Sequence, residues 1–213
     1  MTGLNTFVLK WIAIISMILD HIGAIFFPQW LWLRYIGRLA FPIFAYLLVE
    51  GFVYTSDVKK YLMRLGIFAI VSEIPFDLAF YGVVLEFTHQ NIFFTLFIGL
   101  LLLSLMLSTP HKIKQMIILI SAFILSDCLR VDYGSWGILM ILAFYEFRER
   151  KVLKLVAIAV INIFLIGYSQ AFAAFAAIPI AFHNRELGPR MKTFFYVFYP
   201  GHLFILYLIG LLI

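Results

Sequence analysis

The chain has 213 residues, of which 64% are hydrophobic and 13% charged, and its mean hydropathy is +1.04. A soluble domain carries about 45–50% apolar and about 25% charged residues, and the excess here runs along the whole length, which excludes both a soluble enzyme and a singly anchored one. The net charge of +5 would suggest nucleic acid in a soluble protein; here the basic residues fall in short connections between apolar runs, so membrane topology accounts for them and no nucleic-acid partner is expected.

The apolar runs are continuous rather than alternating, which excludes a β-barrel. Residues 1–213 therefore read as a single integral membrane domain, an all-α polytopic transmembrane helical bundle with membrane lipid as its surroundings. One cysteine, Cys128, rules out an internal disulfide. After Lys10 the first run continues past Asp20 and His21 without a small-x-small cleavage site, so it reads as a retained span and not a signal peptide.

About nine spans are expected. The first four are Phe7 to Phe27, Leu31 to Tyr54, Tyr61 to Val84 and Asn91 to Leu107, followed by a turn at Thr109-Pro110. The next three are Ile113 to Leu129, Tyr133 to Phe147 and Val152 to Gly167. The eighth, Gln170 to Phe182, is short and rich in alanine, which allows close backbone approach; it is either a crossing or a re-entrant segment. The ninth, Thr193 to Ile213, is interrupted at Pro200-Gly201. No internal repeat is evident.

Every second connection is basic: Lys59, Lys60 and Arg64; Lys112 and Lys114; Arg148, Arg150, Lys151 and Lys154; Arg185, Arg190 and Lys192. The positive-inside rule makes these loops and the N-terminus cytoplasmic. Nine spans put the C-terminus outside, and a re-entrant eighth would reverse that.

With this topology, costly ionisable groups gather at one level in the extracytoplasmic half. Asp20 and His21 lie past the middle of span one. Arg34 and Arg38, four apart and so on one face, open span two. Glu73 and Asp77, again four apart, lie in the outer part of span three, and Asn91 starts span four. Asp127, Arg130 and Asp132 bracket an outer loop, and His202 lies midway along span nine beside Tyr199.

Simpler readings stand beside each. The arginines pair with Asp20, Glu73 or Asp77 as interhelical glue, and the latter two acids are their charge partners more readily than catalysts. Asn91 is an N-cap; Asp127 and Asp132 are interfacial; Trp30, Trp32, Tyr35, Tyr133 and Trp136 form an aromatic belt. Glu50 and Glu86 are helix-end charges, and His89, His111 and His183 lie in loops without a chemical role. His21 and His202 differ, because packing needs neither, and imidazole suits proton abstraction from an amine or hydroxyl near neutral pH. A His/carboxylate metal site is disfavoured: no helix carries His-x-x-x-His or Glu-x-x-His, and the arginines would repel a cation.

The segments Met17-Ile-Leu-Asp20-His21-Ile-Gly23, Arg34-Tyr-Ile-Gly37-Arg38-Leu-Ala-Phe41-Pro42-Ile-Phe-Ala-Tyr46, Glu73-Ile-Pro75-Phe-Asp77 and Asn91-Ile-Phe-Phe-Thr95 resemble the TraX family, as do Asp132-Tyr133-Gly134 and Phe195-Tyr-Val-Phe-Tyr199-Pro200-Gly-His202-Leu203. The resemblance implies a bacterial cytoplasmic-membrane acetyltransferase, the name-giving member being implicated in N-terminal acetylation of conjugative pilin. It implies acetyl-CoA as cytosolic donor substrate and an extracytoplasmic amine or hydroxyl acceptor on a peptide, glycan or lipid. On that reading Lys59, Lys60, Arg64, Arg190 and Lys192 contact the CoA phosphates. His21 is base or transient acetyl carrier, with His202 beside it. Asp20, Arg34 and Arg38 hold the geometry, and Tyr199 or Asn91 donates to the oxyanion. The competing readings are a small proton-coupled transporter relaying through Asp20, Glu73 and Asp77, and a non-enzymatic scaffold whose buried charges merely pair off.

Overall fold

The structure, a computed structural model, describes residues 3–166, 168–189 and 191–212. Among these the regular elements are all helical, and extended pairing is confined to two single-residue bridges, Leu4 to His183 and Gln90 to Val131.

Helix α1 (Thr6–Ile25) begins where the Asn5 side chain accepts the Val8 N–H, satisfying one of the donors a helix start leaves open. The expected single span from Leu31 to Tyr54 is two helices, α2 (Leu31–Gly37) and α3 (Ala40–Tyr54). Pro42 explains the turn at Arg38 and Leu39, since it lacks an N–H and its ring crowds the carbonyl four residues back. α4 (Val58–Tyr81) starts on Asp57, which accepts the Lys60 N–H, and stops at Gly82 with φ +71°, a conformation open to glycine because it has no Cβ. It thus lies a few residues earlier than the Tyr61 to Val84 expected.

Next come α5 (Ile92–Leu107), α6 (Lys112–Cys128), α7 (Gly134–Glu146) and α8 (Lys151–Val160). The chain then loosens into a π-helical turn at Ile161–Ile166 and a 3-10 helix at Tyr168–Ala176 before the single turn of α9 (Ala177–Ala181). The short eighth segment is therefore mostly 3-10 helix. α10 (Lys192–Gly210) continues unbroken past Pro200, so the expected interruption is absent; a helix within a bundle tolerates the loss of the one backbone bond that proline removes.

Thr6–Ile25, Leu31–Tyr54 and Thr193–Gly210 are long and apolar enough to cross a membrane. α4 has the length, at 24 residues, but carries Lys59, Lys60, Arg64, Glu73 and Asp77, and α5 and α7 have only 16 and 13 residues. The count of about nine crossings is not carried by helix length alone. The surface is what a lipid-facing bundle requires: on α6, Ile113, Ile117, Ile120 and Ile124 recur at helical spacing and are all more than half exposed.

α10 packs along α4 and touches α1, α2 lies against α1, and α3, α5 and α7 fill the centre. Two ends result. The basic end holds the starts of α1, α4, α8 and α10, where Thr6 N–H bonds the Glu186 carbonyl at 2.8 Å. The far end holds Asp20, Arg34 and the loops before α5 and α7, where Gln90 N–H bonds the Arg130 carbonyl at 3.0 Å.

Candidate active site

Asp20 is only 8% exposed and takes both arginines. Its Oδ2 accepts from Arg34 Nη1 at 2.8 Å, and its Oδ1 accepts from Arg38 Nη2. Arg34 Nη1 also donates to the Asp20 carbonyl, and Arg38 Nε to that of Arg34, at 3.2 and 3.3 Å. One carboxylate thus clamps the fork of α2 to α1. Close helix approach makes this reachable: a Cβ on Gly23 would stand 2.7 Å from Leu33 Cβ, and one on Gly37 would overlap the Asp20 side chain.

The expected pairing of the arginines with Glu73 or Asp77 does not occur. Asp77 Oδ2 accepts the Glu86 backbone N–H at 2.8 Å, fixing the loop after α4. Glu73 accepts from the Asn91 amide. Asn91 caps α5, accepting the Phe93 N–H at 3.0 Å, and also donates to the Ala69 carbonyl at 2.8 Å. Its N-cap role is as expected, and its amide is already committed, so it has no donor left for an oxyanion.

His21 and His202 meet. His21 Nδ1 lies 2.8 Å from His202 Nε2, with the rings nearly parallel at 5.0 Å. His202 Nδ1 lies 3.0 Å from the Phe198 carbonyl, which only accepts, so this nitrogen carries a proton. With His202 neutral its Nε2 is then an acceptor, His21 Nδ1 donates to it, and His21 Nε2 keeps a lone pair. Phe80 stands edge-on to His21 at 5.3 Å, and Phe76 lies against Phe80 at 4.9 Å.

Two of the cavities between the described helices bear on these residues. The far-end cavity, about 220 Å³, is lined by Asp20, His21, Arg34, Arg38, His89 and Asp132 among aromatic walls. His21 faces it, and His202 stands behind. The basic-end cavity, about 560 Å³, is lined by Lys10, Arg64, Arg185, Glu50, His183 and Tyr196 with many apolar side chains. Four residues, Met17, Phe44, Ile92 and Tyr199, line both, so they form the wall between them. Along α1, Thr6, Lys10, Ile14, Met17 and His21 follow one face at spacings of four, four, three and four, and touch the two cavities in turn.

Arg64 is the one expected phosphate contact among the cavity's described lining; its Nε is buried with no hydrogen-bond partner among the described residues. Lys59 and Lys60 sit exposed on the first turn of α4, outside the lining. Arg190 lies outside the described residues, as does the side chain of Lys192. Lys10 and Arg185, in the sequence no more than topology signals, line the cavity as well.

Two loop histidines also do more than expected. His183 bridges Tyr46 at 2.8 Å and Thr6 at 3.1 Å, tying the loop before α10 to α1 and α3. His89 Nε2 pairs with Asp132 Oδ1 at 3.5 Å on the rim of the far cavity. Asp132, hydrogen-bonded to it and then by its charge, holds the His89 imidazole above its usual range against the opposing effect of burial. Nearby, the Asp132 carbonyl accepts the Thr95 hydroxyl. At the basic end Glu50 accepts from Arg148 at 2.9 Å and Glu149 from Arg185 at 3.1 Å.

Residues 6–210 match the family model described as TraX protein. The probable fimbrial assembly protein FimC of Dichelobacter nodosus is 31% identical over 95% of this chain and 94% of its own. An uncharacterized protein of Rickettsia prowazekii (strain Madrid E) is 28% identical over 69% of this chain, which spans 58% of that relative's length. No solved structure matches.

Proposed function

The chain belongs to the TraX family, and from that premise we propose that it is a membrane acetyltransferase acting on a peptide amine in pilus or fimbrial assembly. The Dichelobacter relative is named as a probable fimbrial assembly protein, which supports the choice of acceptor, an extracytoplasmic pilin-like N-terminus. The cytosolic donor is acetyl-CoA. The observation that carries the reading is the pair of cavities meeting at one wall with a poised imidazole just beyond it.

In this reading the basic end faces the cytoplasm, as its loop charges suggest. Lys10, Arg64 and Arg185 hold the donor's phosphates by charge-assisted contacts. The thiol arm rises past Met17, Phe44, Ile92 and Tyr199, and the thioester carbonyl comes to rest beside His21. The acceptor enters the far cavity. Its N–H proton passes to His21 Nε2 as its nitrogen bonds the acetyl carbon, and the His21 Nδ1 proton moves to His202 Nε2. His202, then cationic, still donates to the Phe198 carbonyl. Arg34 and Arg38 put positive charge beside the developing oxyanion. When the C–S bond breaks the electron pair leaves on sulfur, and the relayed proton returns to it.

His21→Ala is expected to abolish thiol release from acetyl-CoA by purified protein, a loss of at least 100-fold, with its thermal unfolding temperature unchanged within a few degrees. Wild-type turnover in that variant would remove His21 from the chemistry. Substrate uptake into proteoliposomes with no acetyl transfer would instead favour a transporter.

A further inference from the structure

The far cavity has to hold two things at once, the acyl end of the donor and the nucleophile of the acceptor. Its volume is about 220 Å³. A protein cavity of about 150 Å³ holds benzene, six carbons, so this one takes about nine non-hydrogen atoms at the same density. An acetyl thioester brings four of these: sulfur, carbonyl carbon, oxygen and methyl. That leaves room for an amine and the first atoms behind it. A hexanoyl thioester brings eight and leaves room for about one more atom, too little for an amine and the carbon behind it.

The position of the walls decides where a longer chain would collide. Phe80 stands edge-on to His21 at 5.3 Å, and Phe76 braces Phe80 at 4.9 Å. Phe76 is 6% exposed, and both rings line the same cavity as His21, so the pair walls the cavity on the side where the reacting carbonyl would lie. The dividing wall of Met17, Phe44, Ile92 and Tyr199 does not select length in this way, because it must pass the slender donor arm whatever the arm carries.

Resting on the acetyltransferase reading above, we propose that Phe76 and Phe80 are the acyl-length selectors: the protein transfers groups of two or three carbons and rejects longer ones by lack of room beside His21. Phe76 is the cleaner probe, since Phe80 touches the imidazole and its loss would also disturb His21. Truncating Phe76 opens space behind Phe80 for a longer chain.

The test measures thiol release by purified protein from acetyl-, propionyl-, butyryl- and hexanoyl-CoA, with a short peptide bearing a free α-amine as acceptor and His21→Ala as blank. Wild-type kcat/KM should fall at least tenfold from acetyl to hexanoyl. Phe76→Ala should raise the hexanoyl-to-acetyl ratio at least fivefold. Acetyl transfer with an unchanged ratio in Phe76→Ala overturns the selector while leaving the acetyltransferase reading intact. Equal wild-type turnover of acetyl and hexanoyl thioesters also overturns it, and this arm needs no variant to fold. No release above the blank from any thioester overturns the parent reading, and the selector with it.

Discussion

The Asp20 carboxylate answers two arginines in a setting where water is scarce, and its neighbours depend on it more than it depends on either one. Removing one partner of a buried ion pair strands the other, at about 3–5 kcal/mol. Asp20→Ala strands Arg38, whose side chain is 15% exposed, more severely than Arg34, at 34%. We expect a loss of about 3 kcal/mol, read by denaturant titration in detergent; a change below 1 kcal/mol would show that the arginines find other partners. Gly37→Ala acts on the same clamp sterically, because the new methyl overlaps Asp20. Overpacking costs typically about 1–3 kcal/mol, and the displaced carboxylate should lower acetyl transfer too.

His89 supplies a pH signature at this scale. Its folded pKa is raised through Asp132, so the pair adds stability that is complete below the unfolded value of about 6.5 and fades as pH rises through the folded one. Unfolding temperatures of wild type and His89→Gln should differ most near pH 5.5 and converge by pH 9. A gap that widens with pH would reverse the assigned sign. The sequence showed that Asp20, Arg34, Arg38, His21 and His202 were costly and shared a depth. It hid which acid the arginines choose, because the true partners of Asp77 and Glu73 include a backbone N–H of Glu86 and the amide of a helix cap, and neither leaves a charge pattern to read.

Among elements, α1 shows the same division. Its length and apolar run announce a span, and its Asp20-His21 pair announces a site, but the row Thr6, Lys10, Ile14, Met17, His21 becomes meaningful only once the two cavities are seen beside it. The row was available in the sequence as a four-residue rhythm with polar ends; apolar Ile14 and Met17 in its middle disguised it as core. Pro42 and Pro200 make a similar contrast. Both remove a backbone donor, yet the chain turns near Pro42 and α10 continues through Pro200, since tertiary packing decides whether a helix tolerates that loss. The 3-10 helix at Tyr168–Ala176 had one forecast sign, its run of alanines; its packing on neighbours such as Tyr35, whose ring stacks on Phe172 at 4.2 Å, left no mark in the sequence.

For the molecule as a whole, orientation is the property on which the proposed direction of transfer depends, and the chain carries its own reporter. Cys128 is the sole cysteine, exposed, at the far end of α6. A membrane-impermeant maleimide should label it in intact spheroplasts without permeabilisation, with Cys128→Ser as the unlabelled control. Labelling only after the membrane is breached would place the far cavity in the cytoplasm and invert the proposed route.

The two imidazoles stand 181 positions apart in the chain, one on the first helix and one on the last. A prematurely terminated product, or one whose final helix has not yet inserted, carries His21 without the residue that fixes its tautomer and accepts its proton. On the acetyltransferase reading such a fragment is expected to be inert toward thioesters however well its first helices insert, and reactivity is expected only once the helix that carries His202 has packed against the one that carries His21.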